Sequence, residues 1–159
     1  MVMLKDDGDI VKALGYVALY SAYMEEAIDE CARLIVDNIK NPPKNFDRVP
    51  ISFKLNWIKK WIDNLDKSSS EIARFREVLN NISQLLELRH EVIHGRIYSG
   101  VTEGSDVLRP SRKDKIIREV TSAELYNLAV HIFATLSCLN YASTYSLRRL
   151  IRMQLELNN

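Results

Sequence analysis

Cysteine is scarce in this chain: Cys31 and Cys138 are the only two in 159 residues. Two thiols cannot build a cysteine metal centre or a disulfide-stapled miniature fold. Each lies among apolar neighbours, which predicts buried, reduced thiols, with a disulfide as the alternative. Five glycines and four prolines are too few for a collagen, a glycine-rich linker or a turn-dense β-sandwich. No apolar run approaches the roughly 18 residues that span a bilayer. The opening stretch turns acidic at Asp6, Asp7 and Asp9, without the apolar segment of a signal peptide. Neither charge sign dominates, because 22 Lys and Arg offset 21 Asp and Glu. A protein that coats long nucleic acid is more basic, although a local basic site remains compatible. These features predict a cytoplasmic protein with no membrane partner.

What is abundant is helical period. Ile10, Leu14, Val17, Ser21, Met24, Ile28, Cys31 and Ile35 follow steps of three and four, so one apolar stripe marks a helix from about Asp9 to Ile39. Asp7 or Asp9 can cap its start, and Pro42 and Pro43 stop it. A shorter helix is expected from about Ser52, its N-cap, to Leu65, with Phe53, Trp57 and Trp61 recurring at steps of four as core or interface aromatics. Ser68 and Glu71 form a capping box for a third helix, about Ser69 to His94. Its stripe reads Ile72, Phe75, Leu79, Ile82, Leu86, Arg89 and Ile93, and Gly95 is placed as its C-terminal stop.

The period then lapses from residue 95 to 120. Residues 97–101 and 106–109 can pair there as a small hairpin. This long connection is also locally basic, with Arg109, Arg112, Lys113, Lys115 and Arg118 around a lone Asp114. Long connections in small helical domains are often functional. Thr121 and Glu124 then form a second capping box, and Leu125, Leu128, Ile132, Leu136, Leu139, Leu147, Leu150 and Ile151 give the last helix its buried face. The expected architecture is therefore all-α: one domain over residues 1–159, an up-and-down bundle of about four to five helices with a long irregular connection before the last.

The chemistry is concentrated at the end of the third helix, in Leu88-Arg89-His90-Glu91-Val92-Ile93-His94-Gly95. Arg89 takes a place in an otherwise apolar stripe, where an unpaired guanidinium is costly. Either it snorkels outward or enters a salt bridge, or the stripe opens here into a polar site. At about 100° per residue, His90 and His94 share a face, whereas Arg89 and His94 stand about 140° apart. Arg89 and His94 converge only if the last turn unwinds, if Arg89 reaches round, or if two copies of the helix meet across a dyad.

Two readings compete for these residues. His90-Glu91-Val92-Ile93-His94 fits the H-E-x-x-H pattern of zinc peptidases, in which two imidazoles one turn apart hold the metal and the Glu is the base. That reading also needs a substrate cleft and a third ligand, for which Glu119 and Glu124 are near enough along the chain but sit at a strand-like and a capping position. The other reading is a resemblance. An Arg followed at a short interval by a His, at the end of a helix in a small helical bundle, resembles the signature of the HEPN superfamily. The match covers Leu88 to Gly95. His90 stands directly after the Arg, where the family often has Asn or another polar residue, and Gly95 follows the His as it commonly does there.

The resemblance implies a metal-independent endoribonuclease without cofactor. It implies a homodimer whose two motifs form one composite site, with a toxin or antiviral defence role and an antitoxin or defence protein as a further partner. Other HEPN proteins keep the fold and only bind nucleotides or partner proteins, which is the alternative function. For RNA cleavage by the 2′-OH, a base, an acid and a cation for the phosphorane are required. His94 is the expected proton-transfer group and Arg89 the phosphate clamp, with His90 positioning the phosphate or 2′-OH. Glu91 can orient His94. Arg109, Arg112, Lys113 and Lys115 are the expected contacts to the RNA backbone. His131 is expected to be a packed or surface histidine, and Arg148, Arg149 and Arg152 a solvated face.

Overall fold

The computed structural model describes residues 7–39, 42–65, 69–99, 106–112, 114 and 116–157. The chain is predominantly helical, as the period predicts. Its helices are α1 (Ile10–Val36), α2 (Ile51–Asp63), α3 (Ser70–His94), α4 (Ser122–Tyr141) and α5 (Arg148–Leu157). Three short strands separate α3 from α4: β1 (Arg96–Ser99), β2 (Asp106–Arg109) and β3 (Arg118–Val120). The described residues group into two compact units, one within Met1–Ala22 and Gln84–Ala134, the other within Tyr23–Ser83 and Thr135–Asn159.

In the first unit, the Asp9 carboxylate accepts a 3.0 Å hydrogen bond from the Lys12 amide and so caps α1. Tyr126 of α4 donates to Asp7 at 3.0 Å, and the Tyr16 ring lies 5.8 Å from that of Tyr126. The strands form an antiparallel sheet in the order β1-β2-β3. Ile97 pairs with Leu108, and Leu108 in turn with Arg118. The strand pairing of the sequence reading is present between Arg96–Ser99 and Asp106–Arg109, while residues 100–105 lie outside the described residues. The irregular connection is thus partly a sheet, which β3, at the strand-like position of Glu119, extends beyond the hairpin. Leu108 and Val120 bury the inner face of this sheet.

Gly95 ends α3 for a reason other than a left-handed turn. A Cβ there would stand 2.5 Å from the Glu91 carbonyl oxygen and 2.6 Å from Leu108 Cδ1. The missing side chain makes room for β2 to approach the helix end. Thr121 caps α4 as expected, its hydroxyl accepting from the Glu124 amide at 3.2 Å. The reciprocal half of the box is absent, because the Glu124 carboxylate is held by Arg118 at 2.7 Å.

In the second unit, Met24, Ile28, Cys31 and Ile35 of α1 are buried as the stripe predicts. The helix stops three residues short of the expected Ile39. Asn38 bends back instead, donating to the Leu34 carbonyl at 2.8 Å. α2 begins one residue earlier than expected, with Pro50 rather than Ser52 at the cap position; the Pro50 carbonyl accepts from the Phe53 amide at 3.0 Å. Leu55, Ile58 and Ile62 form its buried row, whereas Phe53 is exposed and the two tryptophans are half-buried. The Trp57 ring meets that of Phe46 edge-on at 4.9 Å. Lys54 is buried and ion-paired with Asp29, a burial the sequence did not announce. Ser68 of the expected capping box lies outside the described residues.

All eight apolar residues assigned to the last helix are buried. That helix is nevertheless interrupted by a wide π-type turn over Ala142–Leu147. The buried row explains it. Ala142 and Leu147 are both buried, and five α-helical steps would turn Leu147 about 140° away from Ala142. A wider turn restores Leu147 to the core. Cys31 is buried, and burial pushes its thiol up to about 12 despite a hydrogen bond with Ser143. Cys138 is exposed, contrary to expectation, and both thiols are free.

Candidate functional site

The last turns of α3 carry the site, and their register differs from the simple stripe. The buried row leaves Ile82 through Leu85 to Val92, while Leu86 and Ile93 are only half-buried. Arg89 lies between these rows, about 40° from Leu85 and about 60° from Val92 around the helix axis. It is half-buried. α3 stays helical through His94, and the Gly95 amide still donates to the Glu91 carbonyl at 3.0 Å. Unwinding of the last turn therefore does not bring Arg89 to His94. Arg89 keeps to the inner side of the helix and His94 is exposed.

The opposite, outer face gathers four polar side chains at helical spacing: Glu87, His90, Glu91 and His94. The two imidazole rings lie 4.6 Å apart at 50° to one another. His90 is held below its ordinary pKa, first by burial, then by the Arg112 guanidinium and by His94. Its neutral form, which accepts a proton, therefore persists to lower pH than usual.

Each flanking carboxylate is clamped by an arginine from the connection beyond α3. Arg112 binds Glu87 at 2.8 Å. Arg118 donates from Nε to Glu91 at 3.1 Å and from Nη1 to the Glu119 carbonyl at 3.1 Å. Its Nη1 also meets Glu124 at 2.7 Å. Burial works against the Arg118 charge, but the hydrogen bonds to Glu124 and Glu91 outweigh it and hold the guanidinium above its ordinary pKa. Arg118 thus ties the motif helix to β3 and α4.

Of the residues assigned to RNA binding, Arg112 reaches the histidine face, and Arg109 is exposed on β2. Lys113 and Lys115 lie outside the described residues. Glu91 is engaged by Arg118 rather than standing as an unpaired base. Among the described residues, no group of three or more His, Cys, Asp or Glu side chains is arranged to hold a metal ion. Glu87 and Arg118 were missed as site residues. The signal for Glu87 was available: Glu87 and Glu91 repeat at four residues, on the face of His90 and His94. His131 is exposed on α4. No helix of the described residues is long and apolar enough to cross a membrane.

Comparison with protein-family models, with curated proteins and with solved structures finds no match to this chain.

Proposed function

We propose that this chain is a metal-independent endoribonuclease of HEPN type, acting as a homodimer in a toxin or antiviral defence role. The observation that carries the reading is the histidine pair at the end of α3, with rings 4.6 Å apart, directly after the inward Arg89 in sequence and beside Arg112. In the proposed reaction a neutral imidazole takes the proton of an RNA 2′-OH. The freed oxygen bonds to the adjacent phosphorus and the P–O5′ bond breaks. An imidazolium returns a proton to the leaving 5′ oxygen, so the products are a 2′,3′-cyclic phosphate and a 5′-OH. His94 is assigned the proton transfer, His90 the positioning of the reacting group, and Arg89 the charge of the phosphorane. Arg89 and His94 occupy different faces of one helix, which is why a second copy is invoked to complete the site.

The histidine face also supports this reading over zinc chemistry. Glu91 is ion-paired with Arg118, and Glu124, a third ligand in that scheme, is bound by the same guanidinium.

The test is RNA cleavage in excess EDTA by wild type, Arg89→Ala and His94→Ala, with sedimentation to read the oligomeric state. The expected result is cutting by wild type alone, with cyclic phosphate ends and a dimer in all three. No cutting of a broad RNA panel, tRNA included, would overturn the nuclease reading in favour of a binding module.

A further inference from the structure

A groove of about 480 Å³ opens between the end of α3 and the start of α4. That volume falls within the range of about 300–1,000 Å³ common for small-ligand sites. Leu88, Val92 and Leu128 form apolar walls, and Thr121, Asn127 and His131 add polar side chains to the lining. Leu88 is 46% exposed, so one wall is a large apolar side chain left open to solvent. Asn127 and His131 are four residues apart on α4, so they neighbour each other on one face.

The arginine and the glutamate of the groove already hold each other. Arg118 and Glu124 both line it and are paired with each other at 2.7 Å; the second partner of Arg118 is Glu91. A phosphate or an acidic peptide would meet no uncompensated cation from this pair. A flat, neutral group with apolar faces and a hydrogen-bonding edge fits the lining instead. The Asn127 amide offers a donor beside an acceptor, the complement of adenine N7 and N6.

We propose that this groove binds a nucleobase, adenine by preference, with Leu88, Val92 and Leu128 against its faces and Asn127 and His131 on its edge. As the source of that base, RNA rests on the nuclease reading above; a free nucleotide would supply the same chemistry. The groove and the motif share α3, since Leu88 and Val92 flank Arg89 in sequence.

The experiment titrates the full chain with the four ribonucleoside 5′-monophosphates and with ribose 5-phosphate, followed by NMR. The expected result is that AMP shifts the signals of Leu88, Asn127 and His131 and binds about tenfold more tightly than UMP. Asn127→Leu, a change at an exposed helical position, should remove that preference. Equal binding of all four nucleotides, the same shifts from ribose 5-phosphate, or a preference that survives Asn127→Leu would each overturn the proposal. So would the absence of any shift in these signals, the result expected if an apolar side chain of a partner protein or a second copy fills the groove. An adenine-containing oligonucleotide with 2′-O-methyl riboses reports the source: tighter binding than AMP supports a base of RNA, equal binding a base of a free nucleotide. Because these titrations need no cleavage, the two readings fail separately. Base preference without cleavage removes only the nuclease, and cleavage without base preference removes only the groove.

Discussion

Gly95 and Leu108 stand so close that one added carbon on the glycine would lie 2.6 Å from the leucine Cδ1. The same carbon would lie 2.5 Å from the Glu91 carbonyl oxygen. The end of the motif helix and the middle strand of the sheet are therefore joined through a missing side chain. Gly95→Ala should destabilise the protein by roughly 1–3 kcal/mol, the usual cost of overpacking. Pairing it with Leu108→Ala should relieve the side-chain clash but not the carbonyl clash. Urea denaturation checks this, and a double variant as stable as Leu108→Ala alone would refute it.

The buried ion pair of the second unit yields an asymmetric prediction. Lys54 has a side-chain exposure of 4% and Asp29 of 21%. Asp29 has another cation, Arg33 at 3.0 Å, whereas Asp29 is the ion-pair partner found for Lys54. Asp29→Asn would strand a buried ammonium, a change that costs about 3–5 kcal/mol where both groups are fully buried. Partial exposure of Asp29 places the expected loss near the lower end. Lys54→Met leaves Asp29 with Arg33 and replaces the stem with apolar volume, so its cost should be smaller. Thermal or denaturant unfolding of both variants decides the order, and equal losses would mean that Lys54 finds other compensation.

How much of this was legible in the sequence depends on the range of the interaction involved. The α4 and α5 residues from Leu125 to Ile151 were placed because burial on a helix repeats locally, and the Thr121 cap because its bond spans three residues. The failures need partners distant in sequence. Lys54 is buried because of Asp29, 25 residues away. The α3 row turns from Leu86 to Leu85, as a strict alternation of three and four drifts against 3.6 residues per turn. β3 holds three residues, too few for an alternation to show. The π-type turn left a trace, the five-residue step from Ala142 to Leu147, which a reading tuned to threes and fours passes over. At the site, the types and spacing of Arg89, His90 and His94 were readable, while the clamps from Arg112 and Arg118 required the fold of the connection.

His90 gives a prediction in pH. Its folded-state pKa lies below the ordinary 6.5, chiefly through burial and then through Arg112 and His94. Well above pH 6.5 the imidazole is neutral in both folded and unfolded chains. As the pH falls through that value the unfolded chain takes up the proton first, so the stability associated with neutral His90 is full at neutral pH and is lost on acidification. NMR titration of the ring protons should place the His90 midpoint below 6.5. Arg112→Gln should move it upward by removing a nearby positive charge, and His94→Asn should act in the same direction. A midpoint that does not move in either variant would show that neither charge reaches the ring.

Arg118 makes the sharpest claim about how the motif helix is held. Three acceptors meet one guanidinium: Glu91 at 3.1 Å, the Glu119 carbonyl at 3.1 Å and Glu124 at 2.7 Å. A side-chain exposure of 35% weakens each bond by solvent screening, but the set is cooperative because one planar fork serves all three. Arg118→Gln removes the charge and leaves two carboxylates facing each other, for which about 1–2 kcal/mol is expected from the lost charged hydrogen bonds. Arg118→Lys restores the charge without the fork, and a single ammonium cannot reproduce the geometry of Nε and Nη1 together. The lysine variant should therefore recover only part of the loss. Glu124→Gln should cost less than Arg118→Gln, because Glu91 and the Glu119 carbonyl still occupy the guanidinium. Denaturant titrations of the three variants give the ranking. If Arg118→Lys matched wild type, charge alone would hold α3 to β3 and α4, and the forked contact would carry no energy of its own.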